Sequence, residues 1–345
     1  MNQCKSVILD CLKRLNNERT VYSIFHLFNG KKSAQTIQDA HLFRLKKYFG
    51  IFETITRDEF DSFIQVMKEE RLITTCGEQK YLPSQIGEGI LESFSGLKFI
   101  NGWTYQKISS VFWERLSLFV QVASHFAYGE TRYIPIQKNK DIQDWLKKVV
   151  HQVQVSRHEL GTELYSEINS CFEGVGEINP SLMVFRLTGF GQIGLTSLQA
   201  AKRVNLDPLD YHLDFLNILH FMIQKISSDL LSFPLLAFLL HGLDQDNDMT
   251  QSTRKTWNLL KSGYSIEMIA AERHLKMSTI EDHLVEIALH RDDFSIEDYV
   301  HKELQEMIIE QAKRLTTKQL KYIKDQVKIA SYFQIRLVLA KYGVQ

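Results

Sequence analysis

The scarcity of helix breakers constrains this chain more than any other feature of its sequence. Only 5 prolines and 17 glycines interrupt 345 residues, whereas a fold of many strands needs such residues at its frequent turns. Long stretches instead place apolar residues at helical spacing. Because 44% of the residues are hydrophobic, the chain can bury more than one core. The sequence predicts a mainly α-helical, multi-domain protein.

A capped helix followed by two β-prone runs marks the first hundred residues. Thr56 and Glu59 form a capping box at the start of an amphipathic pattern. After that helix, the β-prone residues 72–75 and 80–83 flank a turn-prone Cys-Gly-Glu segment. Helices that lead into such a pair of strands are typical of a winged helix. We therefore predict a winged-helix domain at residues 1–100, with a small β-hairpin as its wing.

Helix start and stop signals recur in the last 95 residues. A helix pattern around Trp257 ends at Gly263, Ser265 can cap the next helix, and a capping box at residues 278–281 opens a third. This order predicts a helix-turn-helix. The polar run at residues 244–248 precedes it and is the strongest candidate for a domain boundary.

An internal similarity points to a second helix-turn-helix near residues 195–220. At a separation of 69 residues, Thr196 aligns with Ser265 and Ala201 with Ala270, as cap and small crossing residue. These positions are needed by any such unit, so the similarity indicates shared architecture more than a shared ligand. Three domains are therefore predicted, at residues 1–100, 101–248 and 249–345.

Glycine-rich and catalytic patterns give no support for an enzyme. Residues 189–194 fit GxGxxG, but a helix-turn-helix pattern follows where a dinucleotide fold needs a βαβ unit. The four cysteines form no CxxC pair, and the 12 histidines form no HExxH motif. We expect a non-catalytic protein with no cofactor and no metal. An enzyme that binds a nucleotide at residues 189–194 stays open as a weaker alternative.

The first residues and the hydropathy of the chain indicate where in the cell the protein is located. The first residues lack the apolar core of a signal peptide, and the most apolar run, residues 230–240, contains Pro234 and is too short to cross a bilayer. We expect a cytoplasmic, nucleoid-associated protein that is not inserted in a membrane.

Charge is distributed unevenly along a chain whose formal net charge is zero. Residues 1–50 carry 9 basic and 3 acidic side chains, residues 51–250 carry 17 and 25, and residues 251–345 carry 15 and 13. The basic ends offer phosphate contacts, although solvated loops and helix faces would have the same composition. The candidate DNA-binding residues are Lys31, Lys32, Ser33, Lys313, Arg314, Lys318, Lys321, Lys324, Lys328, Arg336 and Lys341.

These candidates fall into two groups. Ser33 can cap a helix whose N-terminus, together with the two lysines before it, could receive a phosphate. In the C-terminal group, a helix beginning at Thr316 or Thr317 would place Lys321, Lys324 and Lys328 on one face.

The third helix of the helix-turn-helix, by contrast, should turn acidic residues and His283 outward. Such a face repels phosphates and cannot read bases, so it favours a protein partner. The candidate partner-binding residues are Glu281, Asp282 and Glu286.

Several segments resemble a known accessory domain. Residues 256–260, 263–270, 278–284 and 331–340 are similar to the helix-turn-helix domain at the C-terminus of bacterial RecQ-type DNA helicases. The whole chain, with its Gly-Lys-Lys-Ser-Ala-Gln-Thr segment at residues 30–36, resembles the YpbB family of Gram-positive bacteria, whose gene typically lies beside a RecQ-like helicase gene.

The resemblance implies an adaptor rather than a helicase, because the chain lacks a Walker A motif. A domain that is elsewhere fused to the motor would here be supplied as a separate protein. The expected function is a non-catalytic adaptor that partners a RecQ-like DNA helicase and adds nonspecific DNA binding in repair or recombination. The alternative is a sequence-specific transcription regulator, and the oligomeric state stays undetermined.

Overall fold

The computed structural model describes residues 2–243, 249–315 and 319–343, and in these residues the chain is mainly helical. The first part contains α1 (Gln3–Leu15), α2 (Tyr22–Phe28), α3 (Ala34–Leu42), α4 (Arg57–Glu69), β1 (Ile73–Gly77), β2 (Lys80–Pro83) and α5 (Gln85–Ser93). The middle part contains α6 (Gly102–Ala127), α7 (Lys140–Gln152), α8 (Leu160–Phe172), α9 (Ser181–Val184), α10 (Ser197–Arg203), α11 (Pro208–Ser228) and α12 (Pro234–Ala237). The last part contains α13 (Gln251–Lys261), α14 (Ile266–Glu272), α15 (Met277–His290), α16 (Lys302–Leu315), α17 (Leu320–Gln326) and α18 (Tyr332–Tyr342).

The predicted fold class is confirmed. The strands β1 and β2 pair antiparallel as a hairpin with Ile73 opposite Pro83. The capping box forms as expected, since the Glu59 amide donates to Thr56 and the Glu59 side chain accepts from the Thr56 amide. The capping box therefore predicted the start of α4 correctly, and the two β-prone runs predicted the hairpin.

Contacts divide the chain into two compact units. The middle unit consists of Met1–Val7 and Ser93–Gln245, and the terminal unit of Ile8–Glu92 and Asp246–Gln345. Most of the predicted first domain thus shares a unit with the predicted third domain. The three sequence domains themselves stay a prediction.

The middle unit is built around α6, its longest helix. Phe112, Leu116 and Phe119 on α6 are buried, and the helix packs against α7, α8 and α11. Burying aromatic and leucine side chains of this size stabilises a core by about 2 to 3 kcal/mol each. This unit therefore has an apolar core of its own.

The terminal unit has α15 at its centre. Helices α3, α13, α14 and α18 all pack against α15, so the second helix of the helix-turn-helix formed by α14 and α15 is surrounded by helices from both ends of the chain. Its turn contains His274 in the left-handed region at φ 52°. The amide of Leu275 closes the turn onto the carbonyl oxygen of Ala270 at 3.0 Å.

The turn between α10 and α11 in the middle unit has the same geometry. Asn205 lies in the left-handed region at φ 54°, and the Leu206 amide donates to the carbonyl oxygen five residues earlier at 3.0 Å. Thr196 caps α10 just as Ser265 caps α14, by accepting from the third amide after it. The two segments that are similar in sequence thus share one turn geometry.

Each glycine of the GxGxxG segment has a structural reason. A Cβ at Gly189 would lie 2.8 Å from Ser124 Oγ, and a Cβ at Gly194 would lie 2.3 Å from the carbonyl oxygen of Arg186. Gly191 has a positive φ of 71°. The segment forms a tight turn that leads into α10, and close packing accounts for its glycines.

Gly194→Ala is expected to lower the free energy of unfolding by about 2 kcal/mol, because a methyl group would overlap a fixed backbone oxygen. Gly176→Ala is the matched control, since a Cβ there meets no described heavy atom within 4 Å and its φ is not positive. That control should change stability by less than about 1 kcal/mol. Urea unfolding measures both, and equal effects at the two positions would contradict the steric argument.

Candidate nucleic-acid interface

The α15 helix occupies the recognition position of the helix-turn-helix, yet half of its residues are buried and most of the others are half-buried. Residues 283–288 are all buried, and only Met277 and Ser278 at its start are exposed. A recognition helix must present a face to the major groove, and here the surrounding helices cover that face. The predicted outward positions of His283 and Glu286 are therefore wrong.

The Glu286 carboxylate is instead part of a buried polar network. It accepts hydrogen bonds from the Thr250 amide at 2.5 Å, the Thr250 hydroxyl at 3.1 Å and the Thr253 hydroxyl at 2.5 Å. The Thr250 hydroxyl also lies 2.9 Å from the Thr253 hydroxyl. Burial raises the pKa of this carboxyl, and the donated hydrogen bonds oppose that rise. With 6% of Glu286 exposed, its role in the structure is to hold the N-terminus of α13.

Glu286→Ala is expected to destabilise the protein by about 2 kcal/mol, because it removes the carboxylate that accepts from the Thr250 amide and from the buried Thr253 hydroxyl. Glu281→Ala removes a carboxylate from the same helix at a half-buried position. This control should cost less than about 1 kcal/mol. Chemical denaturation compares them, and a stable Glu286→Ala protein would show that the network contributes little.

Arg336, a predicted DNA-binding residue, and Asp282, a predicted partner-binding residue, form an ion pair with each other. Arg336 Nη1 lies 2.7 Å from Asp282 Oδ1, and Arg336 Nε donates to Gln38 Oε1 at 3.0 Å. These bonds tie α18 to α15 and α3. Both charges are used inside the terminal unit.

Two further predicted DNA contacts donate to backbone carbonyl groups. Lys341 Nζ donates to the carbonyl oxygens of Arg291 and Asp292, at 3.1 and 2.7 Å. Lys324 Nζ donates to those of Lys328 and Ala330, each at 2.7 Å. Cations near the ends of helices satisfy carbonyl groups that lack partners within the helix. These two lysines therefore stabilise turns of the backbone and do not extend freely into solvent.

The other described candidates that carry charge are exposed. They are Lys31, Lys32, Lys313, Arg314, Lys321 and Lys328. Of these, Arg314 lies 3.9 Å from Glu310. Exposed cations of this kind can contact phosphate oxygens, and the charge of Lys32 also acts on the Glu286 carboxyl, where it opposes the rise in pKa.

The predicted lysine face of α17 is only partly realised. Lys318 and the proposed helix start at Thr316 or Thr317 lie outside the described residues. The helix ends at Gln326, so Lys328 follows the helix rather than lying on it. Within the helix, Lys321 is exposed and Lys324 is turned to the carbonyl groups.

The second group of cations precedes α3. Ser33 caps this helix, since the Thr36 amide donates to Ser33 Oγ at 3.2 Å, as the sequence predicted. Lys31 and Lys32 are exposed immediately before the cap. The positive end of the helix and two cations thus lie next to each other, which favours an anion such as a phosphate.

Aromatic residues beside the C-terminal cations escaped the sequence reasoning. Tyr322 and Tyr332 are exposed near Lys321 and Lys328. In the sequence, these tyrosines alternate with lysines, and this pattern could have indicated a nucleic-acid surface. An ordinary amphipathic helix has the same pattern, however, so the sequence did not distinguish the two. Exposed aromatic rings next to cations are common in surfaces that bind nucleic acids.

Two other kinds of site are absent from the part of the chain that the structure describes. There, no group of three or more His, Cys, Asp or Glu side chains is arranged to hold a metal ion. No described helix combines the length and apolar character required to span a membrane.

Comparisons with known proteins give one family model and one close relative. Residues 252–339 match the model of a helix-turn-helix domain, an architecture that is typical of DNA-binding proteins. The chain is 36% identical over 351 aligned residues to Protein YpbB of Bacillus subtilis (strain 168), covering 99% of this chain and 98% of that protein. No solved structure matches.

Proposed function

This chain belongs to the YpbB family, and from that premise we propose that it is a non-catalytic, DNA-binding adaptor of a RecQ-like helicase. In this proposal it binds duplex DNA without reading the sequence and acts in DNA repair or recombination. It would work at the nucleoid in the cytoplasm.

The burial of α15 is the observation that carries the DNA part of this proposal. A helix-turn-helix domain is present at residues 252–339, but its recognition helix can offer only its first turn. DNA contact then falls to exposed cations, chiefly Lys31, Lys32, Lys321 and Lys328. Such contacts go to phosphates, which supply affinity without sequence information.

The exposed apolar surface at the start of the helix-turn-helix supports the partner part. Tyr264, Met268 and Met277 are large side chains that stay exposed before α14, on α14 and at the start of α15. Methionine-rich surfaces adapt well to protein partners. Glu281 remains a candidate polar contact there, whereas Asp282 and Glu286 are engaged within the unit.

Affinity purification from the native host, after nuclease digestion, tests the partnership. The unmodified protein should recover a RecQ-like helicase, and Met268→Glu with Met277→Glu should lose it. Met307→Glu is the matched control, because Met307 is an exposed methionine on α16. Failure of the unmodified protein to recover a helicase once DNA is digested would overturn this part of the proposal.

A further inference from the structure

An exposed aromatic pair distinguishes the middle unit. The rings of Tyr128 and Phe190 stack with centroids 4.6 Å apart and planes at 22°. Tyr128 is 69% exposed and Phe190 is 43% exposed. Because Phe190 covers one face of the tyrosine ring, the other face is open to solvent.

The backbone holds Phe190 in this position. The Phe190 amide donates to Ser124 Oγ at 3.0 Å, and Gly189 and Gln192 exchange backbone hydrogen bonds of 2.9 and 3.2 Å across the turn. Gly191 supplies the positive φ that this turn requires. The GxGxxG segment therefore presents an aromatic ring to solvent in a fixed place, and binding there would lose little conformational entropy.

Two arginines are linked to Tyr128 through neighbouring residues of the chain. Arg157 lies 5.2 Å from the ring of Phe126, two residues before Tyr128, and Arg132 is exposed four residues after it. The Glu130 carboxylate turns to the amides of Thr131 and Arg132, at 2.8 and 2.6 Å. Within the described residues, neither guanidinium group pairs with a carboxylate.

From this arrangement we infer that Tyr128 and Phe190 form a stacking platform for the unpaired bases of single-stranded DNA. A base can continue the stack on the open face of Tyr128, and the arginines can meet the phosphates beside it. Duplex bases already stack on each other and cannot reach the platform. This site lies in the other unit from the duplex-binding lysines and does not depend on them.

Leucine substitutions separate base stacking from hydrophobic docking. Tyr128→Leu with Phe190→Leu keeps apolar surface but removes the flat π faces. The double variant should bind a labelled oligothymidylate of about 16 nucleotides at least about tenfold more weakly, as measured by fluorescence anisotropy. Its affinity for random duplex DNA should not change.

Two controls make the result specific. Tyr165→Leu removes a tyrosine that is 70% exposed in the same unit and should leave both affinities unchanged. Arg132→Glu with Arg157→Glu should weaken oligothymidylate binding and flatten its salt dependence.

Three outcomes would overturn the inference. The first is unchanged oligothymidylate affinity in the leucine double variant. The second is loss of a protein partner from that variant with single-strand affinity intact, which would mean that the pair docks protein. The third is an unmodified protein that does not bind oligothymidylate, and this result would leave the proposed duplex binding untouched.

Discussion

Charge reversal of four exposed lysines is expected to weaken binding to random duplex DNA by about a hundredfold or more at low salt. The four are Lys31, Lys32, Lys321 and Lys328. Each lysine that neutralises one phosphate adds about −0.9 to the slope of log affinity against log salt. Four Glu substitutions should therefore make that slope shallower by about 3 to 4. Titration of a labelled duplex at several salt concentrations measures both effects.

The control for this variant carries the same change in net charge. It reverses four exposed lysines of the middle unit, namely Lys138, Lys140, Lys147 and Lys148. This protein should keep most of its duplex affinity. If the two quadruple variants lose affinity equally, net charge rather than a defined surface explains the binding.

Three buried histidines of the terminal unit should make the protein less stable by several kcal/mol when the pH falls from 7.5 to 5.0. Burial lowers the pKa of His41 to about 2, of His283 to about 4 and of His290 to about 3, from an ordinary value near 6.5. The unfolded chain thus takes up protons below pH 6.5 that the folded chain cannot bind. Each group contributes about 1.4 kcal/mol per pH unit in that window. The histidines therefore contribute their full stabilisation above pH 6.5, and this contribution is lost as the pH falls below 6.5.

Two of these histidines contact each other, and replacing them tests the prediction. The rings of His41 and His290 meet edge to face with centroids 4.7 Å apart, between α3 and α15. Replacing both with leucine should reduce the pH dependence of the free energy of unfolding, measured in urea at each pH. Equal stability of the unmodified protein at pH 7.5 and 5.0 would contradict the account.

Local signals made much of the fold predictable. Caps such as Thr56, Ser265 and Ser331 fix where a helix begins through bonds to residues three positions later. A left-handed residue such as His274 fixes where the turn lies. These interactions are contained in short segments, so a single sequence reveals them.

The environment of α15 could not be predicted in the same way. Its covering helix α3 lies more than 200 residues earlier in the chain, and the hydroxyl donors to Glu286 come from before α13 and from its first turn. A carboxylate in an amphipathic pattern normally indicates a solvent-facing position. Only the tertiary contacts reveal that this one is buried with partners.

The candidate interface shows the same limit for cations. Lysine and arginine positions were visible in the sequence, but the partner of each charge is a side chain or carbonyl group that only the folded structure brings close. Arg336 is bound to Asp282, and Lys341 is bound to carbonyl groups about 50 residues earlier. By contrast, Lys31 precedes a cap that the sequence identifies, and it is exposed as expected.

Binding of the unmodified protein to two unrelated duplexes of equal length, across a range of salt concentrations, tests most directly whether it binds DNA without reading the sequence. The account predicts affinities within about threefold of each other and a common salt slope of about −4 for four phosphate contacts. A preference of about a thousandfold or more for one duplex would indicate a sequence-specific regulator and contradict the account. Absence of duplex binding at low salt would contradict it as well.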